Sequence, residues 1–278
     1  VASGAPQWLM VAGAVIASTS PSAVSWLYFA NRLLELPLGI VGVAMGTVLI
    51  PEMTRAVRGG EQSAIAHAES RALELAAGLA LPATLGLMVL SGPIVRMLFE
   101  HGAFTAEDSA ATAQALTWLT LALPAHVLVK ALSPAFFARE DTLTPLFATL
   151  KAIVVAIAAA FLLGHIFGAS GIAAGIAFGA WSNALALIRK GATTFGFSID
   201  AAARRRLPRI LAAALAMGAL LWLAETALPA AGAHGFVQAA SLVVLIAAGI
   251  AGYGLLLQLF GVAGWREAVN AVRQRRPA

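Results

Sequence analysis

Residues 26–51 read WLYFANRLLELPLGIVGVAMGTVLIP. Apart from Asn31, Arg32 and Glu35 the stretch is almost wholly apolar, and it is long enough to cross the roughly 30 Å hydrocarbon core of a bilayer. A guanidinium inside such a run is expensive: at the bilayer centre it costs about 2.5–3.5 kcal/mol on insertion scales. Arg32 is therefore expected to face protein or a water-filled cavity. Glu35, three residues on, shares its helical face and can neutralise it.

The rest of the chain is of the same kind. Of 278 residues 60% are hydrophobic and 11% charged, against roughly 25% charged residues in globular domains; the mean hydropathy is +0.86. Long Ala/Leu/Gly-rich runs recur throughout, and backbone in lipid must satisfy its own hydrogen bonds. The fold class is all-α polytopic membrane protein. Eight transmembrane helices are expected near 6–20, 22–50, 72–91, 108–133, 143–164, 168–188, 207–228 and 235–260. The second run exceeds the bilayer thickness, so it must tilt, bend or protrude, and Pro37 supplies a bend. Pro82 and Pro124 offer similar kinks.

Charge sets the topology. Fourteen of the 18 Lys+Arg lie in the loops after spans two, four and six or in the C-terminal tail. By the positive-inside rule that side, with both termini of the chain, is cytoplasmic. The net charge of +5 follows from this asymmetry and calls for no nucleic acid. The stretch 190–206, KGATTFGFSIDAAARRR, is the longest polar interruption, dividing six helices (1–190) from a final pair with a basic tail (191–278). VASGAPQWLM at the start has no initiator Met or charged leader and reads as the interior of a longer protein.

Few residues can carry chemistry. Arg32, ten residues in from Ser22, is expected about 15 Å deep. Its planar donors match two phosphate oxygens at once; the bland alternative is an ion pair with Glu35 that fixes helix packing. Ser25 could add a hydroxyl to the same wall, or bond back to its own helix. Lys130, roughly two turns from Arg139, either lines the cavity or snorkels to the cytoplasmic surface. Gly42 and Gly46 form a GxxxG pattern, read as close helix packing. Within the spans a carboxylate is essentially confined to Glu35. The sequence holds no cysteine, no HExxH, no P-loop and no metal cluster, so neither an enzyme nor a cofactor is expected.

Residues 24–51, VSWLYFANRLLELPLGIVGVAMGTVLIP, resemble the eighth transmembrane segment of the MurJ (MviN) lipid II flippase family. Three further stretches agree in order: LSGPIVRMLFEHGAFTAEDSAATAQAL at 90–116, VKALSPAFFAREDTLTPL at 129–146 and GIAAGIAFGAWSNALAL at 171–187. The resemblance implies helices seven to fourteen of a protein about twice as long, namely the second six-helix lobe of a multidrug/oligosaccharidyl-lipid/polysaccharide-type transporter, followed by a pair that grooves the lipid tail.

It also implies a bacterial inner-membrane protein that moves the undecaprenyl-pyrophosphate-linked peptidoglycan precursor, lipid II, outward, its partners being that lipid, surrounding membrane lipids and the first lobe. The family's substrate residues fall on Arg32, Glu35, Ser25 and Lys130. The carboxylates of the sodium site found in some members have no counterpart in 6–20 or 143–164. A drug or polysaccharide exporter of the same superfamily, or an inactive truncated scaffold, are the competing readings.

Overall fold

The computed structural model describes residues 21–197, 199–227 and 236–262, and every regular element among them is helical. Helix α1 (Pro21–Ala44) widens into a π turn (Met45–Leu49) and runs on as α2 (Ile50–Gly59). Then follow α3 (Gln62–Val89), α4 (Ser91–Phe99), α5 (Ala106–Thr120), α6 (Ala122–Phe137), α7 (Leu143–Phe195), α8 (Ala201–Ala227) and α9 (Phe236–Leu259). Six of these helical segments, α1–α2 and α5–α6 each counted as one, are long and apolar enough to cross a membrane. The expected span at 6–20 and the basic tail lie outside the described residues.

Prolines account for several of the boundaries. A proline has no N–H for the carbonyl four residues back. Pro93 leaves the Val89 carbonyl without a helical donor, and α3 ends at Val89; Pro124 does the same to Thr120, where α5 ends. The helices run on through Pro37 and Pro82, so the irregularity in the second span falls at the π turn instead of at Pro37. Beyond it α2 protrudes as an amphipathic end, stopped by Gly60 in the left-handed conformation (φ 70°). At Pro82 the freed Gly78 carbonyl is taken by another helix: the Tyr253 hydroxyl on α9 donates to it at 3.0 Å.

Helix α7 contains two spans, as expected, but joined without a loop. At Gly168 the backbone takes φ 59°, ψ −137° and the chain reverses. The two limbs press together along a seam of small residues. A Cβ on Gly171, Gly175 or Gly179 would collide with Leu163, Ala160 or Ala156 respectively. Backbones this close need glycine on one side and alanine on the other. Asn183 donates to Thr149 at 3.3 Å across the same seam, and Ser170 at the turn donates to Gln114 of α5 at 3.0 Å. A second alanine seam, Ala122 and Ala125 against Ala177, Ala180 and Ala184, seats α6 on the second limb.

Two helices run past the expected spans. Helix α3 begins at Gln62, ten residues before the apolar run at 72, and its first turns, QSAIAHAESRA, alternate polar and apolar side chains. The polar stretch 190–206 is mostly helical: α7 continues to Phe195, Gly196 caps it at φ 68°, and α8 starts at Ala201. Helix α8 packs along α3, with Leu85 against Gly218, and α9 packs on α8, with Leu221 against Gly249.

Gly175→Leu should prevent closure of the α7 hairpin, because its Cβ meets backbone atoms of Ala160. Full-length protein should then be degraded or aggregate; a monodisperse gel-filtration peak at wild-type yield would contradict the seam.

Candidate functional site

Helix α1 has one face for the bundle and one for its surroundings. Leu27, Ala30, Leu34, Leu38 and Val41 recur at helical spacing and are buried, packing on α5 and α6. The other face exposes Tyr28, Leu36, Ile40 and Val43, and among them stand Ser25, Arg32 and Glu35.

Arg32 and Glu35 form an ion pair at 2.8 Å, with side chains 71% and 44% exposed. The Asn31 amide donates to the other Glu35 oxygen at 3.0 Å. The carboxylate is thus held by two donors, whereas the guanidinium gives it only Nη1. Among the described residues the remaining guanidinium donors have no protein partner. An ion pair that fixed helix packing would be enclosed; this one is open. Ser25 is exposed on the same face, two turns before Arg32, and makes no hydrogen bond back to its helix among those described.

The far end of α1 is pinned. The Trp26 indole donates to Asp108 at 2.9 Å, in the first turn of α5, where Thr105 and Asp108 form a capping box. Phe29 packs on Phe99 and Phe104 at ring-centroid distances of 4.7 and 5.5 Å. Measured from Trp26, Arg32 lies six residues, roughly 9 Å, into the bundle.

Lys130 comes to α1. Its ammonium donates to the Leu38 carbonyl at 3.2 Å, in the space left by the missing side chain of Gly42, where a Cβ would lie 3.2 Å from Nζ. The contact is about 9 Å along α1 from Arg32, on an adjoining face. Gly42 therefore makes room for a cation, and Gly46 has nothing within 4 Å of a Cβ among the described residues. Neither glycine makes the close helix contact that the GxxxG spacing suggested.

Two further features belong to the packing of the later helices. One is an apolar cleft of about 370 Å³ between α3, α4, α8 and α9, lined by residues that include Pro82, Leu87, Met217, Ile250 and Tyr253. The other is a polar cluster at the Arg-rich end. Glu69, 3% exposed, pairs with Arg139 at 3.3 Å; Arg139 also donates to the Ala135 carbonyl and lies 3.9 Å over the Phe195 ring. Glu74 pairs with Arg206 at 3.3 Å. It falls inside the expected third span, so Glu35 is not the sole carboxylate there. Asp200 caps α8, and the Ala203 N–H donated to it, ahead of the opposing effect of burial, holds its carboxyl below the usual range.

The sequence model of the family described as "Lipid II flippase MurJ" matches residues 2–245. A "Probable lipid II flippase MurJ" of Rhizobium meliloti (strain 1021) is 40% identical over 252 residues, covering 90% of this chain and 47% of that protein. The protein of the same description from Vibrio cholerae serotype O1 is 32% identical over 242 residues, covering 86% of this chain and 46% of its own. A solved structure, "Lipid II flippase MurJ, inward closed conformation", superposes with a TM-score of 0.78 at 22% identity, over 96% of this chain and 53% of that one; it shares the fold. The chain thus spans about half the length of the relatives it matches.

Arg139→Ala removes the guanidinium paired with the buried Glu69 carboxylate and should lower stability by about 3 kcal/mol, whereas Arg55→Ala, on exposed α2, should change it little. Thermal unfolding in detergent measures both, and equal effects would contradict a buried pair.

Proposed function

The chain belongs to the MurJ family of lipid II flippases, and from that premise we propose that it forms the second half of a transporter for the undecaprenyl-pyrophosphate-linked precursor. Its headgroup is large, polar and anionic, so it cannot cross hydrocarbon unaided. One observation carries the reading: an unfilled guanidinium on the exposed face of an otherwise apolar helix.

In this account residues 1–190 are the second lobe and 191–278 the lipid-tail pair. Arg32 binds the pyrophosphate through the donors that Glu35 leaves free. Glu35, steadied by Asn31, keeps the guanidinium oriented and moderates its charge. Ser25 extends the polar wall and Lys130 adds positive potential from the side. The cleft between α3, α4, α8 and α9 takes isoprenoid carbons by apolar contact. That cleft sits among the helices this chain supplies, while the opposing wall of the chamber comes from the first lobe. Rocking of the two lobes around the loaded chamber gives alternating access. In this reading the protein lies in the inner membrane with its Arg-rich side in the cytoplasm, an orientation that the positive-inside rule supports.

A charge-assisted hydrogen bond contributes about 1.5–3 kcal/mol, so Arg32→Ala in the full-length protein should slow outward transport by about tenfold or more. Arg32→Lys should retain part of it. The assay follows exposure of the precursor headgroup to a membrane-impermeant hydrolase; wild-type exposure in Arg32→Ala would end this role.

Tyr253→Phe should leave the Gly78 carbonyl without its donor and loosen α9 from α3, lowering thermal stability by about 1 kcal/mol. An unchanged unfolding temperature would remove this hydrogen bond from the account of the cleft.

A further inference from the structure

The outer side of the α7 hairpin carries a second cavity, of about 890 Å³, that the transport scheme does not use. Its cations are Lys151 on the first limb and Arg189 and Lys190 near the end of the second. All three are exposed, and none makes an ion pair among the described residues. The one acid felt there is Asp141. It is kept ionised chiefly by the Thr144 N–H, which donates to it at 2.9 Å, and only secondarily by Lys190. Phe147, 63% exposed, stands at the basic end one turn before Lys151; beyond Lys151 the wall turns apolar through Val155, Trp181 and Phe178, the last 60% exposed. Trp181 stiffens that wall, since its indole N–H is fixed on the Leu121 carbonyl at 2.9 Å.

The polarity runs in one direction. The basic end lies at the Arg-rich side of the bundle; with the orientation proposed above, on which this inference rests, that end meets the inner-leaflet headgroups and the aromatic end the hydrocarbon. A soluble phosphate would meet the cations and leave the aromatic wall idle, and a neutral lipid would leave the cations uncompensated. A molecule with a negative headgroup and an acyl chain satisfies both ends. We infer that this groove is a binding site for an anionic phospholipid of the cytoplasmic leaflet, separate from the Arg32 face. The bound lipid acts as a removable brace: its phosphate ties the end of the second limb to Lys151 on the first.

Native mass spectrometry of the full-length protein tests this with phosphatidylglycerol and phosphatidylcholine of matched chains. The wild type should retain phosphatidylglycerol about tenfold better. Lys151→Gln/Arg189→Gln/Lys190→Gln should abolish that preference and leave lipid II binding intact. The charge-preserving Lys151→Arg/Arg189→Lys/Lys190→Arg protein should keep it, as should Arg55→Gln/Arg58→Gln, which removes basic charge on the same side but outside the groove. If the triple glutamine variant does not fold, Lys151→Gln alone carries the test, with about a threefold loss of preference expected. Equal retention of the two lipids by the wild type would overturn the site. So would undiminished preference in the glutamine variants, loss of lipid II binding in its place, or a second copy of the protein occupying the groove.

Discussion

Much in this chain is arranged around the cost of carrying a guanidinium on a long apolar helix. Water solvates arginine far better than hydrocarbon does, so its position must come with polar surroundings. The chain supplies only part of them. Glu35 neutralises the charge and Asn31 holds Glu35 in place, but most donors of Arg32 face outward, away from the lobe that buries the other side of α1. An open cation next to a tethered carboxylate suits an exchangeable anion. A permanent structural pair would be closed.

The packing around α1 serves that exposure. Small residues draw the α7 limbs and α6 into a narrow stack, which gives α1 a firm surface for Leu27, Leu34 and Leu38. Trp26 and Phe29 fix its other end against the α5 cap and the aromatic cluster. Where prolines break the backbone ladder, the structure either ends the helix or brings a donor from elsewhere, as Tyr253 does for Gly78. The cleft and the proline-freed carbonyl lie in the same place, so the contact that docks α9 also forms one wall of the apolar channel.

Much of this was legible from residue order. The alternation of basic loops gave the span order, and an arginine and a glutamate three apart on an apolar run identified the exposed face of α1. The two limbs of α7 were legible as separate apolar runs, 143–164 and 168–188. What stayed hidden depends on partners far apart in sequence. Nothing near Glu69 announces Arg139, seventy residues on, and nothing near Glu74 announces Arg206. Gly42 and Gly46 misled because glycine spacing signals room without saying what fills it; here an ammonium does. Residues 190–195 misled in the opposite way, since polar side chains on the cytoplasmic turns of a long helix look the same as a linker.

The most direct test is the water access of α1. The chain has no cysteine, so single cysteines can be placed at Ser25, Ala30, Arg32 and Leu34 in full-length protein otherwise free of thiols, and challenged with a membrane-impermeant thiol reagent. The account predicts labelling at 25 and 32, protection of 25 by lipid II, and no labelling at 30 or 34. Equal resistance at all four positions would mean that the arginine faces a dry contact, and the proposed grip on a diphosphate would fail.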